Sequence, residues 1–478
     1  MKYILKVSLV ACLFLWPIVN QAQDLPFGHS AKKAYGYLWN LEPPSQLEKI
    51  PNNKIEIYIY SLHLALHTIL AEDQRRLSEY ESRYKILESG KDETPDDPLS
   101  VFLEAEMLLH YAFVQLKYQN ELSAAWAIRK SYKLAKDGSS NYPDYKPLIK
   151  TIAIHNVIMG SVPKKYDWLM SLLGLEGNVN HGLSQLRDFS RTKSPLRYES
   201  EALLALLSVY LKNDDSYQNS LPLPNTKLTA LVKVLIYLKT SNNLSALTEL
   251  RALASYEVNY PILSYLTAEA RLRAEEYAKS RAAYLKFIGN SNSQSNIRDA
   301  YFKIALTYHI TRKSDSARYF LNLAGKSGKA VSEADKYAER IMKKERLPDP
   351  RIWRIRFLTD GGYYYRAQKL VSTISSETFQ NSSDQLEFQY RSARLYHKQK
   401  KPREAQQLYQ SVIVNSSKKG NYFAPNSCLQ LGYIYKNNQE WKKAAYYFEK
   451  VKEYSGYEYK SSIERKAKNA LLNLPKTP

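Results

Sequence analysis

Residues 428–451 read CLQLGYIYKNNQEWKKAAYYFEKV, and their spacing decides the fold. Gly432 is followed by Tyr435 after three residues, by Ala444 after twelve and by Phe448 after sixteen, with a polar run at 436–440 between them. This predicts two short amphipathic helices folded into a hairpin. The small residues let the helices approach closely, and the aromatic rings fill the space beside them. Such a hairpin cannot bury its own apolar face, so it needs neighbours.

Upstream, the spacing recurs at Val234, Tyr237, Ala246 and Leu250, and again at Ala268, Arg271, Ser280 and Tyr284. Further copies are Ala305, Tyr308, Ala317 and Leu321; Ile355, Leu358, Ala367 and Val371; and Ala393, Tyr396, Ala405 and Tyr409. The small residues of the second helices fall at 246, 280, 317, 367, 405 and 444, with gaps of 34, 37, 50, 38 and 39 residues. The one long gap holds 332–344, which reads as an extra helix before Pro348 and Pro350. Residues 461–472, with Arg465, Lys466 and Lys468, read as a final helix covering the open edge of the stack. The expected fold is all-α. An α-solenoid of stacked antiparallel helix hairpins occupies 191–478, behind a helical N-terminal region at 23–190.

Residues 1–22 have the layout of an export signal: Lys2 and Lys6, an apolar core at 7–19, and Asn20-Gln21-Ala22 as a cleavage end. The core spans 13 residues and is interrupted by Pro17, whereas a membrane span needs about 20. Cys12 follows Leu9-Val10-Ala11 as in a bacterial lipobox, but sits inside the apolar run that a lipidation cysteine would close. No later segment reads as apolar enough to cross a bilayer. The destination this implies is the periplasm or cell envelope, with outer-membrane association if Cys12 is lipidated. Removing 1–22 leaves a net charge of 22 − 2 = +20 and one cysteine, Cys428. An intrachain disulfide is then excluded, and stability must come from packing. Cys428, one turn before Gly432, reads as a small buried apolar residue. The 40 tyrosines suit half-wet helix interfaces, each burying a ring and keeping a polar tip.

Before the repeats, 55–87 reads as one long helix and 90–98 as an acidic, turn-rich loop. Asp96 and Asp97 are placed to cap a helix starting near Leu99. Residues 99–136 read as a hairpin about Asn120, with Ala112, Ala124 and Ile128 in a loose copy of the opening spacing. Within 151–186, helices should stop at Gly160, restart after Pro163, stop at Gly174 and restart near Asn178.

The pattern Gly432-x-x-Tyr435 … Ala444-x-x-x-Phe448 resembles the tetratricopeptide repeat, over residues 225–452. Most copies here lack the family's early tryptophan and closing proline, and Ile355 stands where a small residue is usual. The resemblance implies the fold and leaves function open. A narrower one lies in Pro163, Trp168-Leu169, Leu172-Leu173-Gly174, Gly177-Asn178 and Gly182-Leu183-Ser184-Gln185-Leu186. These are similar to a segment of a eukaryotic tetratricopeptide family associated with the mitochondrial outer membrane, inclusion-body clearance and lipid handling. Glycine and proline at such offsets punctuate tightly packed helices, and that family's cellular role does not transfer to an exported chain.

Chemistry-bearing patterns are few. His63 and His67 are four apart on one helix, a spacing that can offer two nitrogens to a metal. Leu64 stands where a zinc protease has its glutamate, and no third ligand follows at a defined spacing, so a half-buried pair is expected, with no metal or cofactor. No nucleophile triad order, phosphate-cradling loop or paired-carboxylate motif stands out, and an enzyme is not expected. The terminal Leu-Pro-Lys-Thr-Pro at 474–478 lacks the glycine and apolar tail of a sortase signal.

Charge is more informative. Residues 390–478 hold 18 Lys and Arg against 6 Asp and Glu, a net of 18 − 6 = +12. Tyr390, Arg394, His397 and Lys398 share one face of a first helix, and Tyr433, Lys436 and Asn437, with Leu429, the matching face of the next. These seven polar and aromatic residues are the candidate site: a basic groove with interleaved tyrosines. The expected function is a non-catalytic scaffold in a bacterial envelope, holding an acidic or extended segment of a protein partner. The alternative is direct binding of an envelope glycan or an anionic membrane surface through the same groove. Nucleic acid suits the net charge but not an exported chain.

Overall fold

The computed structural model describes residues 25, 27–43, 51, 53–89, 97–162, 174–212, 214–328, 330–344, 346–375 and 378–475. The expected signal at 1–22, the loop at 90–96 with Asp96, the restart after Pro163 and the last three residues lie outside them. The described chain is all-α, and among these residues the only β-pairing is a single bridge between Lys419 and Ser455. It divides into two compact units, residues 1–232 and 233–478.

The first unit contains α1 (His29–Trp39), α2 (Lys54–Ala71), α3 (Gln74–Ser89), α4 (Pro98–Lys117), α5 (Glu121–Asn141), α6 (Pro147–Ser161), α7 (Val179–Ser190) and α8 (Arg197–Leu207). The single helix expected over 55–87 is two helices. Glu72 turns left-handed at φ 52°, and the Asp73 carboxylate accepts from the Arg75 amide to open α3. A short acid competing for the backbone, rather than continuing the helix, explains the break. Asp97 caps α4 as expected, accepting from the amides of Leu99 and Ser100 at 3.0 Å each. The α4–α5 hairpin buries Ala112 and Ala124, and Asn178 caps α7 through the His181 amide. A Cβ on Gly177 would lie 2.6 Å from the Gly160 amide nitrogen, so both chain turns need glycine there. Leu186 of α7 and Leu204 of α8 share one apolar cluster with Leu109 and Ile154. The compact unit thus runs past residue 190, where the sequence placed a border. Contrary to expectation, α4 is by length and composition apolar enough to cross a membrane; 67% of its most apolar stretch is buried inside the fold.

This unit is tied together by charge. Lys150 Nζ lies 3.0 Å from Glu106 and 2.8 Å from Glu199, and donates to the Tyr58 hydroxyl at 3.0 Å. Tyr35 and Tyr58 donate to the two Glu199 oxygens, and Thr151 donates to Glu106. Five helices, α1, α2, α4, α6 and α8, therefore meet at one buried network.

The border between the units falls inside α9 (Lys227–Lys239). The second unit then contains α10 (Asn243–Ala252), α11 (Ile262–Arg273), α12 (Tyr277–Asn290), α13 (Ile297–Ile310), α14 (Ser314–Lys326), α15 (Glu333–Met342), α16 (Pro350–Asp360), α17 (Tyr364–Ser372), α18 (Ser382–Lys398), α19 (Pro402–Asn415), α20 (Phe423–Asn437), α21 (Trp441–Lys450) and α22 (Lys460–Leu472). Every hairpin the spacing predicts is present: α9–α10, α11–α12, α13–α14, α16–α17, α18–α19 and α20–α21. The inserted helix is α15, opened by a Ser332–Asp335 capping box, and the final helix is α22. Ala246, Ser280, Ala317, Ala367, Ala405 and Ala444 are all buried. A Cβ on Gly432 would stand 2.4 Å from the Phe448 ring, which accounts for the glycine in the opening stretch.

One local device makes every turn. Five residues before each of those small residues stands one in the left-handed region: Ser241, Glu275, Arg312, Gly362, Lys400 and Gln439, with φ from 57° to 81°. The next amide reaches back to the first helix, as Glu440 N–H does to the Tyr435 carbonyl at 2.9 Å. This is the Schellman closure of a helix end, and Gln119 repeats it before Ala124 in the first unit. The inserted α15 changes the path of the stack: α16 packs on α11 and α13. Asn243 Nδ2 donates to the Tyr363 hydroxyl at 3.1 Å, and Arg354 and Arg366 both reach Glu275.

Candidate functional site

The helices that carry the expected site, α18 and α20, are the first helices of successive hairpins and pack against each other; the face they share is called the inner face below. Of the expected site residues, Tyr390 is not a surface group. It is 2% exposed, its ring stacks on Phe423 at 5.1 Å, and its hydroxyl accepts from Asn426 Nδ2. Contrary to expectation, this first residue of the i, i+4, i+7 set lies in the core between hairpins. Arg394 and Lys398 are half-buried. His397 is also half-buried, with Nδ1 3.4 Å from the Tyr409 hydroxyl. Burial, with Arg394 and Lys398 nearby, pulls its pKa down to about 4, so at neutral pH it adds no charge to the groove. Tyr433 turns to Phe448 of its own hairpin at 5.4 Å, and burial pushes its pKa to about 12. Lys436 is half-buried and Asn437 exposed at the end of α20.

Several residues that sequence reasoning passed over are more central. Arg391, adjacent to Tyr390, pairs with Glu387 at 2.6 Å and donates to the Tyr422 hydroxyl at 2.9 Å. Its guanidinium lies 5.2 Å from the Tyr390 ring and 5.9 Å from Tyr422. On α16, Arg356 stacks over Trp353 at 5.2 Å and donates to the Tyr337 hydroxyl at 2.7 Å. Arg340 of α15 lies 5.8 Å from the Tyr459 ring. The inner face is therefore a ladder of arginines alternating with aromatic rings, an arrangement that favours cation–π contact in a half-dry setting. Arg391 has Glu387, and Arg356 has Asp360 at 3.8 Å. Asp360 also acts on Arg394, whereas Arg340 Nε and Nη2 are buried and unbonded.

No group of three or more His, Cys, Asp or Glu converges among the described residues. His63 Nε2 lies 2.7 Å from the Glu42 carbonyl, and burial pulls His67 down to about 4. Cys428 is fully buried, and burial pushes its thiol to about 12.

Residues 387–418, which hold most of α18 and all of α19, match the family model of the tetratricopeptide repeat. That segment carries a tetratricopeptide repeat. Among solved structures it is similar to the tetratricopeptide-repeat domain of P58(IPK), with 14% identity over 88% of this chain and 99% of that one, at a TM-score of 0.22. No curated protein matches the chain. The segment with the narrower resemblance is described only up to Val162 and from Gly174 onward. Stacked tetratricopeptide hairpins form scaffolds that present extended surfaces to protein partners.

Proposed function

We propose that this protein is a non-catalytic scaffold of a bacterial cell envelope, and that it holds an acidic, extended segment of a partner protein against the inner face of its second unit. The observation that carries the reading is the ladder of Arg340, Arg356 and Arg391 against aromatic rings, in which Arg340 has Nε and Nη2 buried and unbonded. A desolvated guanidinium without a counter-charge favours an incoming carboxylate more than a solvated one does. The envelope setting is supported by the signal-like residues 1–22.

Crosslinking in the native envelope, followed by capture, tests this with Lys398→Glu plus Lys436→Glu. Neither side chain is in the core, so the double variant is expected to fold and to lose at least tenfold in partner recovered. Unchanged recovery overturns the assignment of the groove. A second reading, a glycan or anionic membrane surface, is favoured by the exposed rings of Tyr319, Tyr365 and Tyr446 on second helices. Binding to purified envelope glycan or anionic vesicles that is lost in a Tyr319, Tyr365, Tyr446 triple alanine variant would support it.

A further inference from the structure

The inner face of the second unit is already occupied by its own chain. After α21 the Ser455 amide donates to the Lys418 carbonyl at 3.0 Å, and Gly456 turns the chain at φ 64°. Residues 457–459, Tyr-Glu-Tyr, then lie against the first helices before α22 begins. The Tyr459 ring is 6.0 Å from Tyr337 and 5.4 Å from Tyr422. It touches two separate apolar clusters, one around Trp353 and one around Tyr390. Glu458 is drawn in with it, to 7% exposed.

This seating is imperfect in four places. Tyr459 is left-handed, at φ 60° and ψ 19°, a conformation that costs a residue with a Cβ. One Glu458 oxygen, Oε2, is buried without a hydrogen-bond partner. Arg340, whose guanidinium lies over Tyr459, has Nε and Nη2 buried and unbonded. Trp353 is almost fully buried with Nε1 unbonded, and it lines a cavity of about 90 Å³ with Arg356, Lys303, Tyr337 and Tyr459. A buried carboxylate and a buried guanidinium thus belong to touching segments without meeting. In a settled interface buried polar groups are nearly always bonded, and leaving them unbonded weakens it. By contrast α22 is well seated, with Ile463, Ala467 and Ala470 in the core.

We propose that residues 457–459 are an internal occupant of the basic groove, displaced when a partner binds, and that the partner segment shares their chemistry: an acidic residue flanked by aromatic rings. This rests on the inner face being the partner site. The aromatic rings of such a segment take the place of Tyr459 between Tyr337 and Tyr422. Its carboxylate, free of the left-handed turn that holds Glu458 away, reaches Arg340, and an acceptor satisfies Trp353 Nε1. The groove is closed to unrelated anions until a segment with both features competes.

The test uses the full chain and a fluorescein-labelled peptide of residues 454–462, read by fluorescence polarisation. Tyr459→Ala is expected to bind the peptide at least tenfold more tightly than the unsubstituted protein, and Arg340→Ala added to it should remove that gain. Equal affinity of the two proteins, or binding by neither, overturns the proposal. Hydrogen exchange on the unsubstituted protein needs no variant to fold: saturating peptide should speed exchange at 456–460 at least tenfold while α20 is unchanged. Unaltered exchange also overturns it. If the peptide displaces the segment but envelope capture ignores Lys398→Glu plus Lys436→Glu, the internal occupant stands and the proposed scaffold site falls.

Discussion

Lys150 in the first unit and Arg340 in the second are both cations drawn out of water. Lys150 has two carboxylates and a tyrosine hydroxyl within 3.0 Å, and those partners are themselves held by Tyr35 and Thr151. Arg340 has an aromatic ring beneath it and two N–H groups unbonded. Lys150 is buried whole and Arg340 is half-buried with two buried donor atoms, and composition cannot tell them apart. The difference is completion. The first arrangement is closed and joins five helices, which is what a structural network needs. The second is open, beside a cavity and a strained tyrosine, which is what a site awaiting a ligand looks like.

The largest expected difference between the units is in acid. Burial holds His67 at about 4 and His110 and His155 at about 3 in the first unit, whereas His397 alone, at about 4, does so among these in the second. An unfolded histidine titrates near 6.5, so the stability from keeping these rings neutral is fully present above that pH. It is lost as pH falls from about 6.5 toward 4 to 3, because the unfolded chain takes up protons the fold refuses. Three rings give a slope of about 4 kcal/mol per pH unit for the first unit, against about 1.4 for one ring. Urea denaturation followed by hydrogen exchange in each unit between pH 7 and 4 should show the first unit failing earlier. Parallel loss in both would break the contrast.

Substitution at the two cations comes next. Lys150→Met strands Glu106 and Glu199 and should cost about 3–5 kcal/mol in urea denaturation. Arg340→Met removes two unbonded donors and keeps an apolar body under Tyr459, so it should change stability by less than about 1 kcal/mol, in either direction. A large cost at Arg340 would mean that it is as fully answered as Lys150. The smallest effect is at Cys428. Its buried, protonated thiol should resist alkylation at pH 8 in the native protein and react only on unfolding, which mass measurement reads directly.

The hairpins were legible because their signal is local. Gly432 and Phe448 touch across a turn of a few residues, so small and large residues must alternate at fixed spacing, and the same holds for each copy. The break at Glu72 was less legible because the apolar pattern runs through it and only Asp73 marks the stop. The left-handed turn residues carried no signal at all: five of the six in the second unit are not glycine. Helical periodicity found the face that Tyr390, Arg394 and His397 share but not how deep its members lie. Tyr459 lies 122 residues from Tyr337, and no periodicity connects positions that far apart. The groove's occupant therefore could not be read before the chain was folded.

Gly362 has a further consequence. A Cβ there would stand 2.0 Å from the Ser241 carbonyl, because the turn of the fourth hairpin is laid against the turn of the first. A linear repeat array lengthens or shortens freely and frays from its ends. Here the contacts between Asn243 and Tyr363 and between Glu275 and Arg366 close the path between those hairpins. A repeat duplicated or deleted within that span would pull the two turns apart, so the number of hairpins between them is fixed in a way that the number after them is not.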